Sequence, residues 1–189
     1  MILPTLETPR LLLRKFEPSD AKKIQFLLKN KNVVKTTATI PHPYPSGLAK
    51  KWISNLDKNI KKKSEFTWAI TLLGNDELIG AISLLNYSER NKHAEIGYWI
   101  GFPYWNNGYC TEAARKVFEF GFEKIKLNRI FGCHFSHNPA SRKVMNNLGM
   151  KNEGIFRKHI KRWGNYCDAE YHGILKKEWK KLKPKTLTL

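Results

Sequence analysis

The sequence has few cysteines and no long apolar run. Its three cysteines, Cys110, Cys133 and Cys167, are widely spaced and form no Cys-x-x-Cys pair. This pattern predicts reduced thiols, without a disulfide framework or a zinc site. No apolar run approaches the roughly 18 residues that a membrane-spanning helix needs, and residues 1–14 lack the pattern of a secretory signal. We therefore expect no metal, no membrane contact and a cytoplasmic location.

Acidic residues are also scarce relative to basic ones. Lys and Arg number 34 against 16 Asp and Glu, which gives a formal net charge of +18. Such a charge favours polyanionic partners and repels small cations such as polyamines. A nucleic-acid partner and an ordinary solvated, lysine-rich surface are both compatible with it, because no confined basic stripe is evident.

The size of the chain indicates one domain. At 189 residues, with 41% hydrophobic and 12% aromatic residues, it can bury a substantial core and lies within the usual domain range of roughly 50 to 250 residues. No internal repeat or linker interrupts it. We expect a single domain over residues 1–189, of which 176–189 form a basic C-terminal tail.

Apolar periodicity predicts the order of secondary structure. Period-two patterns indicate strands, and apolar residues at offsets of three and four indicate helices. Residues 156–163 and 166–175 flank Gly164-Asn165, a two-residue hairpin signal. The other predicted strands cover residues 10–16, 66–72, 78–85, 94–101 and 130–135, and the predicted helices follow Pro18-Ser19-Asp20, pass through 52–56, begin near Thr111 and begin at Asn138-Pro139.

The loop from Trp105 to Thr111 joins a predicted strand to a predicted helix. Backbone N–H groups at a helix N-terminus stabilise an anion, and Gly108, which has no Cβ, lets the backbone approach a phosphate. Thr111 is a candidate to donate its hydroxyl or to cap the helix. These residues alone are compatible with a diphosphate site and equally with a plain connecting loop.

A longer series of motifs resembles the GNAT superfamily of N-acetyltransferases, and in particular its RimJ/RimL-like branch. The motifs are Glu95–Gly101, Tyr104–Ala113, Asn138–Ser141 and Leu148–Met150. The order of elements matches from Pro9 to Trp179. The resemblance implies an α+β fold with a mixed, mostly antiparallel curved sheet, splayed between its fourth and fifth strands and flanked by about four helices. It also implies acetyl-CoA as the cosubstrate, held in the gap.

The phosphate-binding motif of the superfamily, Arg/Gln-x-x-Gly-x-Gly/Ala, falls on residues 105–110. Only Gly108 matches strictly, and Cys110 replaces a small residue. The backbone mechanism tolerates such changes because its donors are main-chain amides. The resemblance implies that the cofactor is bound by Tyr98, Trp99, Ile100, Trp105, Asn106, Asn107, Gly108, Tyr109, Cys110, Thr111, Asn138 and Ser141.

The resemblance also implies catalytic roles. Acetyl transfer needs a deprotonated amine, a polarised thioester carbonyl and a proton for the leaving thiolate. A backbone N–H near Ile100 would serve the carbonyl, Glu95 would be the general base, directly or through water, and Ser141 would orient or protonate the sulfur. Met145 stands where many relatives carry a tyrosine acid. A solvent-facing Glu95 and a surface hydroxyl at Ser141 are the structural alternatives.

Further residues are weaker candidates. Cys110 has no evident neighbouring base, which favours an inert thiol over an acyl nucleophile. His134 and His137 are candidates to line the acceptor groove, and Asp168 and Tyr171 are candidates to contact the acceptor amine.

Together these features predict direct acetyl transfer from acetyl-CoA to a primary amine. The leading acceptor is the α-amino group of a ribosomal protein, with weak electrostatic contact to rRNA. One alternative is a small-molecule acetyltransferase for an amino acid, an amino sugar or an antibiotic. Another is a non-catalytic basic module that binds RNA or protein on the same fold. Monomer and homodimer are both open.

Overall fold

One eight-stranded sheet organises the part of the chain that the structure, a computed structural model, describes, residues 3–182. The strand order is β1-β2-β3-β4-β5-β6-β8-β7. The strands are β1 (Leu6–Glu7), β2 (Leu11–Arg14), β3 (Phe66–Leu72), β4 (Leu78–Ser88), β5 (His93–Ile100), β6 (Arg129–Phe135), β7 (Lys151–Arg162) and β8 (Asn165–Leu175).

Helices cover both faces of this sheet. They are α1 (Asp20–Leu28), α2 (Lys31–Val34), α3 (Leu48–Lys61), α4 (Tyr109–Glu119), α5 (Pro139–Asn147) and α6 (Lys176–Leu182). Within residues 3–182 this makes six helices rather than about four, because α2 is a single turn and α6 replaces part of the predicted tail. No helix in this range is long and apolar enough to cross a bilayer.

The strands alternate their side chains between two cores, which explains the period-two pattern. Ala94 and Ile96 of β5 enter the core that α4 and α5 cover. Trp99 packs on the other face, beside the core formed with α1 and α3. The predicted mixed, mostly antiparallel sheet is thus confirmed, since every neighbouring pair is antiparallel except β5 and β6.

Helix α4 follows the predicted apolar stripe. Its buried residues are Ala113, Ala114, Val117 and Phe118, spaced so that one face meets the sheet. A wider helical turn follows α4, in which the N–H of Ile125 donates to the carbonyl of Phe120 at 3.2 Å. The helix begins at Tyr109 and therefore two residues before the predicted start at Thr111.

Two predictions at the C-terminal end were wrong in detail. The β7–β8 turn is Trp163-Gly164 rather than Gly164-Asn165, because both turn residues take positive φ, 48° and 81°, as a type I′ turn requires. Residues 176–182 of the predicted tail form α6, whose Trp179 is buried against Phe118 and Phe122. Apolar burial of this indole explains why the segment packs as a helix. Residues 183–189 of the predicted tail lie outside the described residues.

Candidate active site

The gap in the sheet lies between β5 and β6. These parallel strands pair only at His93 with Arg129, Ala94 with Ile130 and Glu95 with Phe131. Beyond Glu95 the two strands separate, which is the splay that the resemblance implies. They are the fourth and fifth predicted strands, numbered β5 and β6 because the short β1 was not predicted. Residues 96–100 of β5 therefore have one edge without a neighbouring strand.

The backbone at the end of β5 points donors into this gap. The N–H of Gly101 donates to the carbonyl of Ile79 on β4 at 2.8 Å. Because N–H and C=O groups alternate sides along a strand, those of Ile100 and Tyr98 face the opposite, open edge. The indole Nε1 of Trp105 donates to the carbonyl of Ile100 at 2.7 Å, which is consistent with this orientation. The N–H of Ile100 is thus placed to polarise a carbonyl in the gap.

The loop after β5 ends in an uncapped helix N-terminus. Asn106 and Gly108 take positive φ, 63° and 76°, and Gly108 is the N-cap of α4 without any side-chain cap. A non-glycine residue is strained at this φ. The first amides of α4, starting at Tyr109, are available to an anion. Thr111 is the third residue of the helix, so of the two roles considered for it the structure excludes the cap.

Hydrogen bonds of two side chains stabilise this loop and the start of α4. Asn107 Nδ2 donates to the carbonyl of Trp105 at 2.9 Å. Glu112 accepts from Thr8 Oγ1 at 2.6 Å and from the Nε of Arg10 at 2.7 Å. Burial acts to raise the pKa of Glu112, but the hydrogen bonds from Thr8 and Arg10 outweigh it and hold that pKa below its ordinary value. The carboxylate therefore stays charged and holds the helix start against the N-terminal strands.

A cleft of about 800 Å³ opens at this point, a volume typical of sites for small molecules and cofactors. Its walls come from β5, the loop before α4, the first turns of α4 and α5, the β7–β8 turn and α2. Of the residues that the sequence proposed for the cofactor, those that line the cleft are Tyr98, Trp99, Ile100, Trp105, Asn106, Gly108, Tyr109, Cys110, Thr111, Asn138 and Ser141. Asn107 is not among them, because its side chain turns back onto the loop.

The start of α5 forms the wall opposite β5. Asn138 caps the helix, with its Oδ1 accepting from the N–H of Ser141 at 3.2 Å and its Nδ2 donating to Ser141 Oγ at 3.1 Å. The hydroxyl of Tyr98 donates to the backbone carbonyl of Ser141 at 3.4 Å. Met145 lies in the core and is only 1% exposed. The hydroxyls near this wall therefore belong to Ser141 and Tyr98.

Both nearby titratable groups are held neutral by burial. Burial raises the pKa of the Tyr98 phenol well above its ordinary value, and the neighbouring Cys110 adds to the effect. Burial likewise raises the pKa of the Cys110 thiol. A neutral thiol is a poor nucleophile, so the geometry favours the inert role that the sequence suggested for Cys110.

The cleft is positively charged. Lys35, Lys143 and Arg162 line it, and among the described residues that do so none is acidic. Such a surface attracts anionic groups and disfavours polycations.

Sequence reasoning missed the wall formed by the β7–β8 turn. Arg162 and Trp163 line the cleft, and the guanidinium of Arg162 donates to the carbonyls of Val34 at 2.9 Å and Ala38 at 3.4 Å, and also to that of Ile40. This side chain joins the turn to the end of α2 and to the loop of residues 36–46, which contains Pro41, Pro43 and Pro45. The sequence signals for this region were the hairpin turn at Gly164 and the aromatic Trp163, a candidate for the core or for a groove wall.

Several proposed residues lie outside the cleft. Glu95 stands at the base of the gap, where Asn86 Nδ2 donates to its Oε2 at 2.8 Å and Cys133 Sγ lies 4.0 Å from its Oε1. Tyr171 contacts His159 through its hydroxyl, and Asp168 accepts from the N–H of Lys158. His137 lines the cleft, but His134 is buried and 5% exposed, so it does not line the acceptor groove.

Comparison with known proteins agrees with this geometry. The family model for an acetyltransferase (GNAT) domain matches residues 10–151. The chain is 30% identical over 175 residues, 93% of its length and 98% of the relative's, to YoaA of Bacillus subtilis, named as an uncharacterised N-acetyltransferase. It is 39% identical over 108 residues, 57% of its length and 59% of the relative's, to YdaF of Bacillus subtilis, provisionally named a ribosomal N-acetyltransferase.

A solved structure shows the same fold. The RimL ribosomal L7/L12 alpha-N-protein acetyltransferase in complex with coenzyme A superposes with a TM-score of 0.84 at 19% sequence identity. The match covers 91% of this chain and 98% of the RimL chain.

Proposed function

The chain belongs to the GNAT family of N-acetyltransferases, and on that basis we propose that it acetylates the α-amino group of a protein N-terminus, with ribosomal protein as the leading acceptor. Acetyl transfer to an amine is the activity of the family. The observation that carries the proposal is the open edge of β5 beside the uncapped start of α4, inside a cleft without lining carboxylates among the described residues.

Each part of acetyl-CoA has a matching part of this site. The diphosphate binds the first amides of α4, where the helix dipole and the free N–H groups stabilise negative charge. Gly108 provides the left-handed turn that exposes them. The pantetheine arm runs between the open edge of β5 and the start of α5, which brings the thioester toward Ile100 and Ser141.

The backbone of β5 supplies electrostatic catalysis. The N–H of Ile100 donates to the thioester oxygen as negative charge develops there, because a fixed donor costs no reorganisation during the reaction. The amine nitrogen attacks the carbonyl carbon, the C–S bond breaks, and the thiolate leaves. Ser141, held by Asn138, donates a hydrogen bond that orients the sulfur and stabilises the thiolate, which then takes its proton from solvent. Met145 offers no acidic proton for this step.

Glu95 serves as the general base only through water. It precedes Ile100 by five residues on β5, or about 16 Å along a strand, so its carboxylate does not reach an amine at the thioester. Asn86 fixes the carboxylate at the base of the gap. A chain of water molecules would carry the proton from the amine to this group.

Charge supports a protein acceptor near nucleic acid over a polyamine. The cleft presents Lys35, Lys143 and Arg162, and the whole chain carries a formal charge of +18. A cationic enzyme is drawn to rRNA-rich surfaces. The names of YdaF and of the RimL structure, which refer to ribosomal acetylation, point to the same class of acceptor.

A small anionic amine is the second candidate acceptor. Lys35 lies at the end of the cleft near the β7–β8 turn, where it could pair with the carboxylate of an amino acid. Because a fold does not determine the acceptor, the two candidates need a direct assay.

A panel of acceptors tests the proposal. The enzyme is incubated with acetyl-CoA and peptides that have a free α-amine, the same peptides blocked at the N-terminus but containing lysine, amino acids, amino sugars and spermidine. Mass spectrometry locates the acetyl group, and thiol release gives the rate. We expect acetylation of free α-amines in peptides, with ribosomal N-termini preferred.

The variants Ser141→Ala and Glu95→Gln are assayed beside Ser54→Ala, a control on the exposed face of α3. We expect slower turnover for the first two alone. Turnover confined to free amino acids or amino sugars would show that the acceptor is wrong. Acetyl-CoA binding without thiol release for any amine would favour the non-catalytic module.

A further inference from the structure

A second cluster of polar side chains lies between the sheet and α5, and none of its members lines the cleft. His134 on β6 and Glu170 on β8 form a cross-strand pair, and His172 is two residues farther along β8 on the same face. The three are 5%, 5% and 2% exposed. Burial of such groups costs free energy unless they are hydrogen-bonded, paired with an opposite charge or bound to a metal ion.

Three ligand atoms of these residues converge. The two Nε2 atoms are 3.2 Å apart, and Oε2 of Glu170 lies 3.6 Å from that of His134 and 3.8 Å from that of His172. A triangle with these sides has a circumradius of about 2.1 Å, which is within the usual range of Zn–N and Zn–O bonds. A single ion can therefore contact all three atoms with little movement.

The rings are oriented for a shared ligand. Their centroids are 5.1 Å apart, whereas their Nε2 atoms are 3.2 Å apart, so the rings diverge from the Nε2 pair. Nδ1 of His134 lies 2.8 Å from the carbonyl of Phe135. Donation to that carbonyl fixes the proton on Nδ1 and leaves the lone pair on Nε2, as in metal-bound histidines.

A hydrogen bond joins the two Nε2 atoms when His172 carries its proton on Nε2, but this bond does not account for the position of Glu170. The distances from Glu170 to the two imidazoles, 3.6 and 3.8 Å, are longer than hydrogen bonds. They match the separation of two ligands across a metal ion. The carboxylate is held instead by Arg142 of α5, whose Nε donates to Oε2 at 3.0 Å and whose second nitrogen contacts Oε1.

We propose that His134, Glu170 and His172 bind a Zn²⁺ ion that ties β6 and β8 together under α5. Two imidazoles and a carboxylate are a ligand set that zinc accepts, with a water molecule for the fourth position. Arg142 acts as an outer partner that orients the carboxylate. Because Arg142 adjoins Ser141, the ion would also stabilise the start of α5 at the wall of the cleft.

Sequence reasoning predicted no metal because it looked for cysteine pairs and local spacing. Glu170-x-His172 follows strand periodicity, but the third ligand is 36 residues away on β6. Only the antiparallel register of β6 and β8 brings His134 opposite Glu170.

Metal analysis of the full chain tests the proposal. Metal-free enzyme is titrated with Zn²⁺, passed through a desalting column and analysed for bound metal, and Co²⁺ is used as a spectroscopic probe of four-coordinate binding. We expect about one Zn²⁺ per chain, a melting temperature that rises with Zn²⁺ concentration and falls with a chelator, and visible Co²⁺ absorption.

The variants Glu170→Gln and His172→Gln should bind Zn²⁺ at least about tenfold more weakly. His159→Gln, on exposed β7, is the matched control and should bind like wild type. If Gln variants fail to fold, the wild-type titration still decides. Wild-type protein that binds no stoichiometric zinc and shows no Co²⁺ absorption would overturn the proposal. Loss of Zn²⁺ binding in His159→Gln with normal binding in folded His172→Gln would also overturn it.

Discussion

The indole of Trp105 donates a 2.7 Å hydrogen bond to the backbone carbonyl of Ile100. No neighbouring strand pairs with this edge of β5 at residues 96–100, so the indole replaces one ladder hydrogen bond where the sheet opens. The bond also ties the loop before α4 to the strand whose N–H faces the gap. The bond therefore helps to set the position of the loop proposed to bind phosphate relative to the strand proposed to polarise the thioester.

Trp105→Phe should weaken acetyl-CoA binding. Phenylalanine keeps the apolar contact with Phe102 but loses the hydrogen bond, which is worth about 1 kcal/mol, or about fivefold in Kd. Calorimetric titration with CoA measures the change. Trp163→Phe, which lines the cleft from the β7–β8 turn rather than from the loop before α4, is the control and should leave the Kd unchanged. Equal effects of both substitutions would mean that aromatic packing, not this bond, matters.

Gly108→Ala should lose both stability and cofactor affinity. Alanine at a φ of 76° is strained by about 1 kcal/mol, and relief of that strain would move the first amides of α4. Gly47→Ala, at the same φ of 76° at the start of α3 and with open space around it, is a matched control for strain. Both variants should melt lower, but only Gly108→Ala should bind CoA more weakly. Normal CoA binding by Gly108→Ala would contradict the assignment.

Substitution of Asn138 separates helix capping from the support of Ser141. Asn138→Ala removes the cap, so it should lower the free energy of unfolding by about 1 kcal/mol. It should also lower kcat. Asn138→Asp keeps an acceptor for the Ser141 N–H but loses the Nδ2 donor to Ser141 Oγ. It should therefore melt like wild type and still turn over more slowly. Full activity of Asn138→Asp would show that the hydroxyl needs no such donor.

Cys110→Ala should retain turnover. Because burial raises the pKa of this thiol, the thiolate forms only at a higher pH than in a free cysteine, so Cys110 is protonated at neutral pH. We expect a rate within about twofold of wild type and no acetyl adduct when the enzyme meets acetyl-CoA alone. Intact-mass measurement checks the adduct, with Cys167→Ala as the control. An adduct that disappears only in Cys110→Ala would establish a covalent intermediate instead.

Arg162→Ala should affect the acceptor more than the cofactor. The side chain holds backbone carbonyls of residues 34, 38 and 40, and its loss frees the loop at the end of the cleft. Because charged hydrogen bonds are strong, we expect the acceptor KM to rise at least about tenfold while the KM for acetyl-CoA stays the same. Steady-state kinetics with each substrate varied in turn measures both. Arg157→Ala, on exposed β7, should change neither, and a rise confined to the acetyl-CoA KM would refute the assignment.

The sequence carried most of the fold because its signals are local. The stripe from Ala114 to Phe118 predicted α4, and Asn138-Pro139 predicted the first turn of α5 with the correct cap. The glycine-containing loop before α4 predicted an anion site from backbone chemistry alone. These features depend on periodicity and on the conformational limits of single residues, which the chain specifies wherever it folds.

Details that depend on strand register could not be predicted from the sequence. A one-residue difference in the β7–β8 turn places Trp163 rather than Gly164 at its first position. Arg162 reaches carbonyls of residues 34–40 only because the hairpin folds over that loop. Glu95 lies at the base of the gap rather than in the cleft because β5 and β6 stay paired up to that residue.

The sequence by itself therefore determined most of the strands and helices, where the candidate anion-binding loop lies and which family the chain resembles. Tertiary structure alone decided which side chains meet: Trp105 with Ile100, Arg162 with the loop carbonyls, and His134 with Glu170 and His172. The physical reason is that local propensity acts over a few residues, whereas these contacts join distant segments and are set by strand pairing and burial.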